Sequence, residues 1–428
     1  MSRNFSSFDE VLESKPGDWK VERLGNLFAQ RKEKNRPDLP LLAVTGTGGV
    51  VPRDSLERRD TSNADKSKYL RVCEGDIAYN TMRMWQGVSG LSSYEGIVSP
   101  AYTICRPKDG VSSTYMAQLF KLPELIQIFH RNSQGLVDDT LNLKFENFSP
   151  IQVPVPPFPE QQKIAAILSS VDDVIEKTRA QIDKLKDLKT GMMQELLTKG
   201  IGSGGVPHTE FRDSPVGRIP ASWNILPLEQ LVRPDRKITY GIVQAGPHHE
   251  EGVPYIRVSD MTRRHLSLDG MLRTSPEIAQ KYKRSSVSAG DIVYALRGVI
   301  GHVHLVPAEL EGANLTQGTA RLSPNDRVHS RYLLWAMKSP AVQLQNDLEA
   351  KGSTFKEVTL ASLRKIQITL PPPEEQVQIA SVMDCIERKL HGAEDKFEHL
   401  QRLKKALMQD LLTGKVRVKV DQKESAVA

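Results

Sequence analysis

PPFPEQQKIA at 156–165 and PPPEEQVQIA at 371–380 are one local pattern written twice. Glu160 and Glu375, Ile164 and Ile379, and Met193 and Met408 share a single offset in position, and so constant a spacing indicates duplication. Proline fixes φ and biases the residue before it away from the helical region, so VPVPPFP (153–159) and LPPP (370–373) read as stiff extended connectors. The acidic and amide residues that follow, Glu160, Gln161, Glu374, Glu375 and Gln376, suit the positive end of a helix dipole. From Pro159 no proline recurs until Pro207, which predicts one helix of about 40 residues, roughly 60 Å long.

The apolar stripe of that helix runs through Val171, Ile175, Thr178, Ile182, Leu185, Met192 and Leu196. Its counterpart runs through Ile386, Leu390, Ala393, Phe397, Leu400, Leu407 and Leu411 in the same register. The alternating steps of four and three are those of a coiled-coil seam, and each long stripe has a partner of equal length in the same chain. Lys189 and Lys404 occupy a core slot, with Leu188 and Leu403 beside them. A local register shift there is expected to keep the leucines inside and let the lysine stems snorkel.

At 428 residues the chain exceeds one ordinary core, and with 39% apolar and 26% charged residues it has the composition of a folded protein. No run approaches the length of an apolar membrane span, and MSRNFSSFDEVLESKPGDW lacks a signal-peptide core, so the expected location is the cytoplasm, without a membrane partner. Cys73, Cys105 and Cys385 are isolated and form no CxxC pair, which argues against a disulfide framework or a structural zinc site. Of the net charge of +6, most lies in residues 200–373, where 21 Lys and Arg face 16 Asp and Glu. The long repeated segments are balanced, so the excess points weakly to an anionic partner on the globular parts.

The globular parts also match each other. PGDWKVERLGNL (16–27) parallels PASWNILPLEQL (220–231), GDIAYNTMRMWQG (75–87) parallels GDIVYALRGVIG (290–301), and YMAQLFKLP (115–123) parallels YLLWAMKSP (332–340). Gly-Asp before Ile-x-Tyr reads as a turn entering a strand, and the tyrosine stretches read as short helices. The expected architecture is mixed α/β: a first globular domain at 1–157, a long helix at 158–200, a linker and second globular domain at 201–372, and a second long helix with a tail at 373–428. The Gly-rich start of the linker, GIGSGGVPHTEFRDSPVGRIP (200–220), is expected to be flexible.

Several chemistries lack their residues. A base methyltransferase needs a glycine loop for its donor and an Asn/Asp/Ser-Pro-Pro-aromatic element. Here SPAY (99–102) has Ala101 in place of the second proline, and TGTGG (45–49) lacks a convincing strand and helix frame. There is no GxxxxGK[ST] for a nucleoside triphosphate. Pro-Asp at 37 and 234 is not followed by the Glu-x-Lys of a metal-dependent nuclease, and the adjacent His248 and His249 do not converge on one metal. No catalytic residue, cofactor or metal ligand is therefore assigned; a DNA reader, a DNA-binding regulator and an assembly scaffold all remain open, with a DNA methyltransferase as the alternative the missing donor loop disfavours.

Double-stranded DNA would be met by loops joining Arg or Lys to amide and hydroxyl side chains. The first domain offers Asn80, Arg83, Trp85 and Gln86 in YNTMRMWQG, and Arg131, Asn132 and Gln134 in RNSQG. The second offers Arg257, Ser259, Arg263 and Arg264 in YIRVSDMTRRH, Arg297 in YALRG, and Lys351, Ser353, Thr354 and Lys356 in KGSTFK.

The duplicated P-P-x-x-E-Q-x-x-I-A opening and the MQELLT (193–198) and MQDLLT (408–413) exits resemble those of the specificity subunits of type I restriction-modification enzymes. The resemblance covers nearly the whole chain. It implies two target-recognition domains, each followed by a repeated helical region, with the helices paired antiparallel in a pseudo-two-fold arrangement that holds the domains apart. It further implies that each domain reads one half of a split target in the major groove. Two modification (methyltransferase) subunits and the restriction (translocase and nuclease) subunits would then supply all catalysis.

Overall fold

The computed structural model of the chain describes residues 7–46, 48–56, 65–202, 206–349 and 357–420. It divides into two compact units, Met1–Arg179 with Asp395–Ala428, and Ala180–Glu394. The two long helices span Phe158–Leu196 and Pro373–Leu411, 39 residues each, so the division cuts both near their middle. Among the described residues no helix is long and apolar enough to cross a membrane.

Each unit is built on a four-stranded antiparallel sheet. In the first, β1 (Phe28–Gln30), β2 (Ile77–Asn80), β3 (Ser89–Leu91) and β4 (Tyr102–Pro107) lie in the order β1-β4-β2-β3. In the second, β5 (Thr239–Tyr240), β6 (Ile292–Ala295), β7 (Val303–Leu305) and β8 (Thr319–Leu322) lie in the order β5-β8-β6-β7. The two orders are the same, with β2 and β6 in equivalent places.

The shared Gly-Asp explains why both chains turn into these strands. Gly75 and Gly290 sit at φ of 84° and 85°, where only glycine is unstrained. Asp76 accepts the backbone N–H of Cys73 at 2.8 Å, and Asp291 that of Ser288 at 2.8 Å, closing the turn. Each buried carboxylate is then met by an arginine, Arg31 to Asp76 at 2.7 Å and Arg236 to Asp291 at 2.9 Å. A buried charge left unpaired is costly, so aspartate and arginine are required together.

The duplicated Glu-Gln holds each long helix to its own unit. In the first, Glu160 is buried and accepts Trp19 Nε1 at 3.1 Å and Nε and Nη2 of Arg417 at 2.7 and 2.8 Å. Gln161 accepts the N–H of Ser112, which caps helix Ser113–Leu119, and donates to the Pro156 carbonyl. In the second, Glu375 accepts Trp223 Nε1 at 2.9 Å, the N–H groups of Ile201 and Gly202, and His208. Gln376 accepts the N–H of His329, which caps helix Ser330–Lys338, and donates to the Pro371 carbonyl. These residues are side-chain anchors more than dipole partners. The linker is tied down through 200–202 instead of loose at its start, while 203–205 lie outside the described residues.

In the first unit the beginning of the first long helix (Ile164, Leu168) and the end of the second (Met408, Leu411, Leu412) share a core with Trp19, Phe28, Phe120 and Phe148. In the second, the end of the first (Leu196, Leu197) and the beginning of the second (Ile379, Ala380, Met383) share a core with Trp223, Tyr332 and Trp335. The helices therefore pair antiparallel in each unit. The expected register shift does not occur: Leu188 and Leu403 are exposed by 48% and 40%, and the lysines keep their core slots. Lys189 meets Glu387 at 2.6 Å and Lys404 meets Asp172 at 2.5 Å, each across the helix pair. Asp172 and Glu387 stand at the same offset as Lys189 and Lys404, so the duplication keeps both partners and the lysines need not snorkel away.

Candidate nucleic-acid interface

In both sheets a loop leaves the end of an inner strand, β2 or β6, and returns as an edge strand, β3 or β7. In the first unit this loop begins at Asn80, whose side-chain oxygen accepts the N–H of Met82 and shapes the turn. Arg83 and Gln86 are exposed, and Arg83 has no ion pair among the described residues. Trp85 is half-buried, donates to the Met82 carbonyl and meets His130 edge-on at 5.7 Å. His130 belongs to helix Pro123–Asn132, which ends in the exposed Arg131 and Asn132. Gln134 then pairs with Asn142 through two backbone hydrogen bonds, and Leu143 donates to the Thr81 carbonyl. Both predicted stretches of the first unit are thus brought together.

The amine of Lys121 underpins this loop, donating to the carbonyls of Gly87 and Ser89 at 2.7 Å and to that of Gly46 at 3.2 Å. Burial, helped by the nearby Lys404, pulls its pKa down to about 8. The TGTGG turn therefore has a structural role: it packs its backbone at Gly49 against Gly90 so closely that a Cβ on Gly90 would meet the Gly49 Cα at 2.4 Å.

In the second unit Arg297 is exposed at the start of the equivalent loop and lies across Gly318, where a Cβ would meet its Nε at 2.9 Å. The segment 257–264 packs beside it, since a Cβ on Gly298 would touch Val258 at 3.0 Å. Within that segment the arginines differ. Arg257 is committed to the buried Asp260 by two side-chain bonds of 3.0 Å. Arg263 bonds the Asp269 carbonyl, and Arg264 meets Glu394 of the second long helix at 2.9 Å. Ser259 is exposed. Lys351, Ser353, Thr354 and Lys356 lie outside the described residues. A cleft of about 1050 Å³ lies at the opposite end of this sheet, where Arg233 is tied to Asp235 and Arg364 to the Ile238 carbonyl.

Residues 16–187 and 242–397 match the family model described as Type I restriction modification DNA specificity domain. The chain belongs to this family. It is the DNA-specificity component of a type I restriction-modification system, not a catalytic one. It is 27% identical over 425 residues to the type I restriction enzyme MjaVIII specificity subunit of Methanocaldococcus jannaschii, covering 94% of each chain. It is 25% identical over 288 residues to the EcoBI specificity subunit of Escherichia coli, covering 64% of this chain and 60% of that one. In fold it is similar to the crystal structure of a type I S subunit from M. genitalium, with a TM-score of 0.57 at 14% identity over 92% of this chain and 96% of that one.

Several residues of this specificity subunit reach the same region without any motif to mark them. Past β1 the chain continues beside β4, with Arg31 N–H on the Ile104 carbonyl, and this carries Lys32 and Lys34 to the sheet end from which the Asn80 loop emerges. Lys144 comes to the same place from the segment after Asn142. The signal that could have found them is the alternation in QRKEK (30–34), where Arg31 and Glu33 take one face and Gln30, Lys32 and Lys34 the other.

Proposed function

We propose that residues 1–157 and 201–372 act as separate readers, each specifying one half of a bipartite duplex DNA target with a nonspecific spacer between the halves. In the cytoplasm, modification and restriction subunits dock on the chain and carry out methyl transfer and cleavage. The observation that carries this reading is that the same end of the same four-stranded sheet presents a different loop in each unit. One loop offers Asn80, Arg83 and Gln86, and the other offers Arg297 beside 257–264. Identical frames with different exposed side chains are what two readers of unlike sequences require. Arg, Asn and Gln are the side chains that pair bidentately with base edges in the major groove.

The test is to exchange residues 1–157 for the same region of a relative with another target, and to sequence the methylome of a host carrying the assembled system. One half of the methylated target should change while the other half and the spacer stay. A change in both halves would overturn the modular reading.

A further inference from the structure

We infer that a cleft of about 550 Å³ in the first unit is a DNA-backbone site, in which Lys32, Lys34 and Lys144 take phosphates of the target duplex. The inference rests on the reading of this unit as a DNA reader and adds where the duplex backbone runs. One wall of the cleft is Thr81 and Met82, the first residues of the Asn80 loop, so a duplex whose bases meet that loop must pass its phosphates nearby. The loop is held to Ala101, which also lines the cleft, by Thr81, which donates its N–H and its hydroxyl to the Ala101 carbonyl at 3.0 and 2.8 Å.

The charges of this region divide into two sets. On one face, Arg31 is bound to Asp76 and Glu33, while Arg71 is bound to Glu33 and Glu95, all at 2.6 to 2.7 Å. These groups are committed to one another and unavailable. On the other face Lys32 and Lys34 are exposed, as is Lys144, and among the described residues none of the three has an ion pair. Glu146 also lines the cleft and opposes them with a single carboxylate. An ammonium group serves as an adaptable point charge for a phosphate, whereas the rigid arginine fork is spent here on holding the fold. Three unspent cations against one anion, next to the reading loop, fit a polyanion with regularly spaced charges.

The test is the triple variant Lys32→Ala, Lys34→Ala, Lys144→Ala in the full chain assembled with its modification subunits. Binding is measured to target and to unrelated duplexes across a salt series. Each phosphate that is no longer neutralised lowers the slope of log K against log salt by about 0.9, so a fall of roughly 2 to 3 is expected, equal on both duplexes. The half-site preference should not change, and thermal unfolding should not move, because all three side chains are exposed. A salt slope equal to that of the unmodified chain would overturn the cleft assignment. Arg83→Ala, run alongside, separates the two readings: if it relaxes the half-site while the triple variant does nothing, the reader stands and the cleft falls. If the unmodified complex shows no half-site preference, the reader itself has failed.

Discussion

The ion pair between Lys189 and Glu387 sits in a coiled-coil core slot, and reversing its charges tests whether it stabilises the helix pair. At 2.6 Å and an effective dielectric near 20, the gross attraction is about 6 kcal/mol. The side chains are 25% and 20% exposed, so desolvation offsets most of this, and a net coupling of about 1 to 2 kcal/mol is expected. The surroundings make the two single reversals unequal. Lys338 stands 3.9 Å and His391 3.7 Å from Glu387, and both lysine amines lie over the Trp335 ring, at 5.5 Å for Lys189 and 4.8 Å for Lys338. Lys189→Glu places a second carboxylate where Lys338 still moderates the repulsion, whereas Glu387→Lys gathers three cationic side chains and a histidine. The second should therefore cost more, about 3 kcal/mol against about 2. The double variant should recover part of the loss and not all of it, since the lysine introduced at position 387 would still face Lys338. Urea unfolding of the full chain followed by tryptophan fluorescence provides the four corners of the cycle. The pH dependence has a definite sign. Burial pushes the Glu387 carboxyl up, but the hydrogen bond and charge of Lys189 outweigh it and hold the group below the usual range. Its contribution is thus present above the unfolded value near 4.3 and is lost as pH falls through the lower folded value. A double variant no better than the sum of the singles would refute the coupling.

Glu375→Gln keeps the shape but replaces a carboxylate that serves Trp223, His208, Ile201 and Gly202. A loss of about 2 to 4 kcal/mol is expected, with new proteolytic cleavage between 200 and 210. Burial raises the Glu375 carboxyl but the N–H of Gly202, then His208, Ile201 and Trp223, more than reverse this, so the anchor weakens only at acid pH; unchanged stability at pH 7 would refute its role. Arg83→Ala should leave stability within about 0.5 kcal/mol and relax one base position by about 1 to 3 kcal/mol, measured by competition among half-site variants. Arg257→Ala should instead destabilise the second unit by about 1 to 3 kcal/mol, because Asp260 is only 1% exposed and would keep only the residue-257 N–H and the more distant Arg263, at 3.6 Å; an unaltered melting temperature would count against this.

What was legible in the sequence was what has a long period. The helical stripe and the constant offset between the two copies each extend over many turns of chain, so the two helices and the duplication could be read from residue types alone. The sheets could not be read in the same way. Strands such as Phe28–Gln30, Thr239–Tyr240 and Val303–Leu305 are two or three residues long, too short for alternation to show. Their order depends on partners far along the chain, as where Phe28 lies opposite Pro107 and Thr239 opposite Arg321. The candidate loops were found by composition, and composition does not distinguish a free cation from a committed one. Arg83 and Arg257 look alike in sequence, yet one is exposed and the other is bound to a buried aspartate three positions on.

The same limit explains the misread lysines, and its resolution bears on specificity. A cation in an apolar seam looks like a defect when only its own helix is considered, and a register shift is the remedy that preserves the stripe. The acid that neutralises it lies on the other helix, at Glu387 for Lys189 and at Asp172 for Lys404, so no local pattern could reveal it. An unbroken apolar seam would tolerate sliding by whole heptads, because each slipped register still buries leucine against leucine. Slipped by one heptad, Lys189 and Lys404 would face Ala380 and Ala165 in one direction, or Glu394 and Arg179 in the other, so in either case at least one half-buried lysine loses its acid. The two reciprocal pairs thus favour one alignment of the helices over its neighbours. This gives a physical reason for the duplication to retain both a charged core slot and its partner in each copy, where leucine would have given a greasier seam.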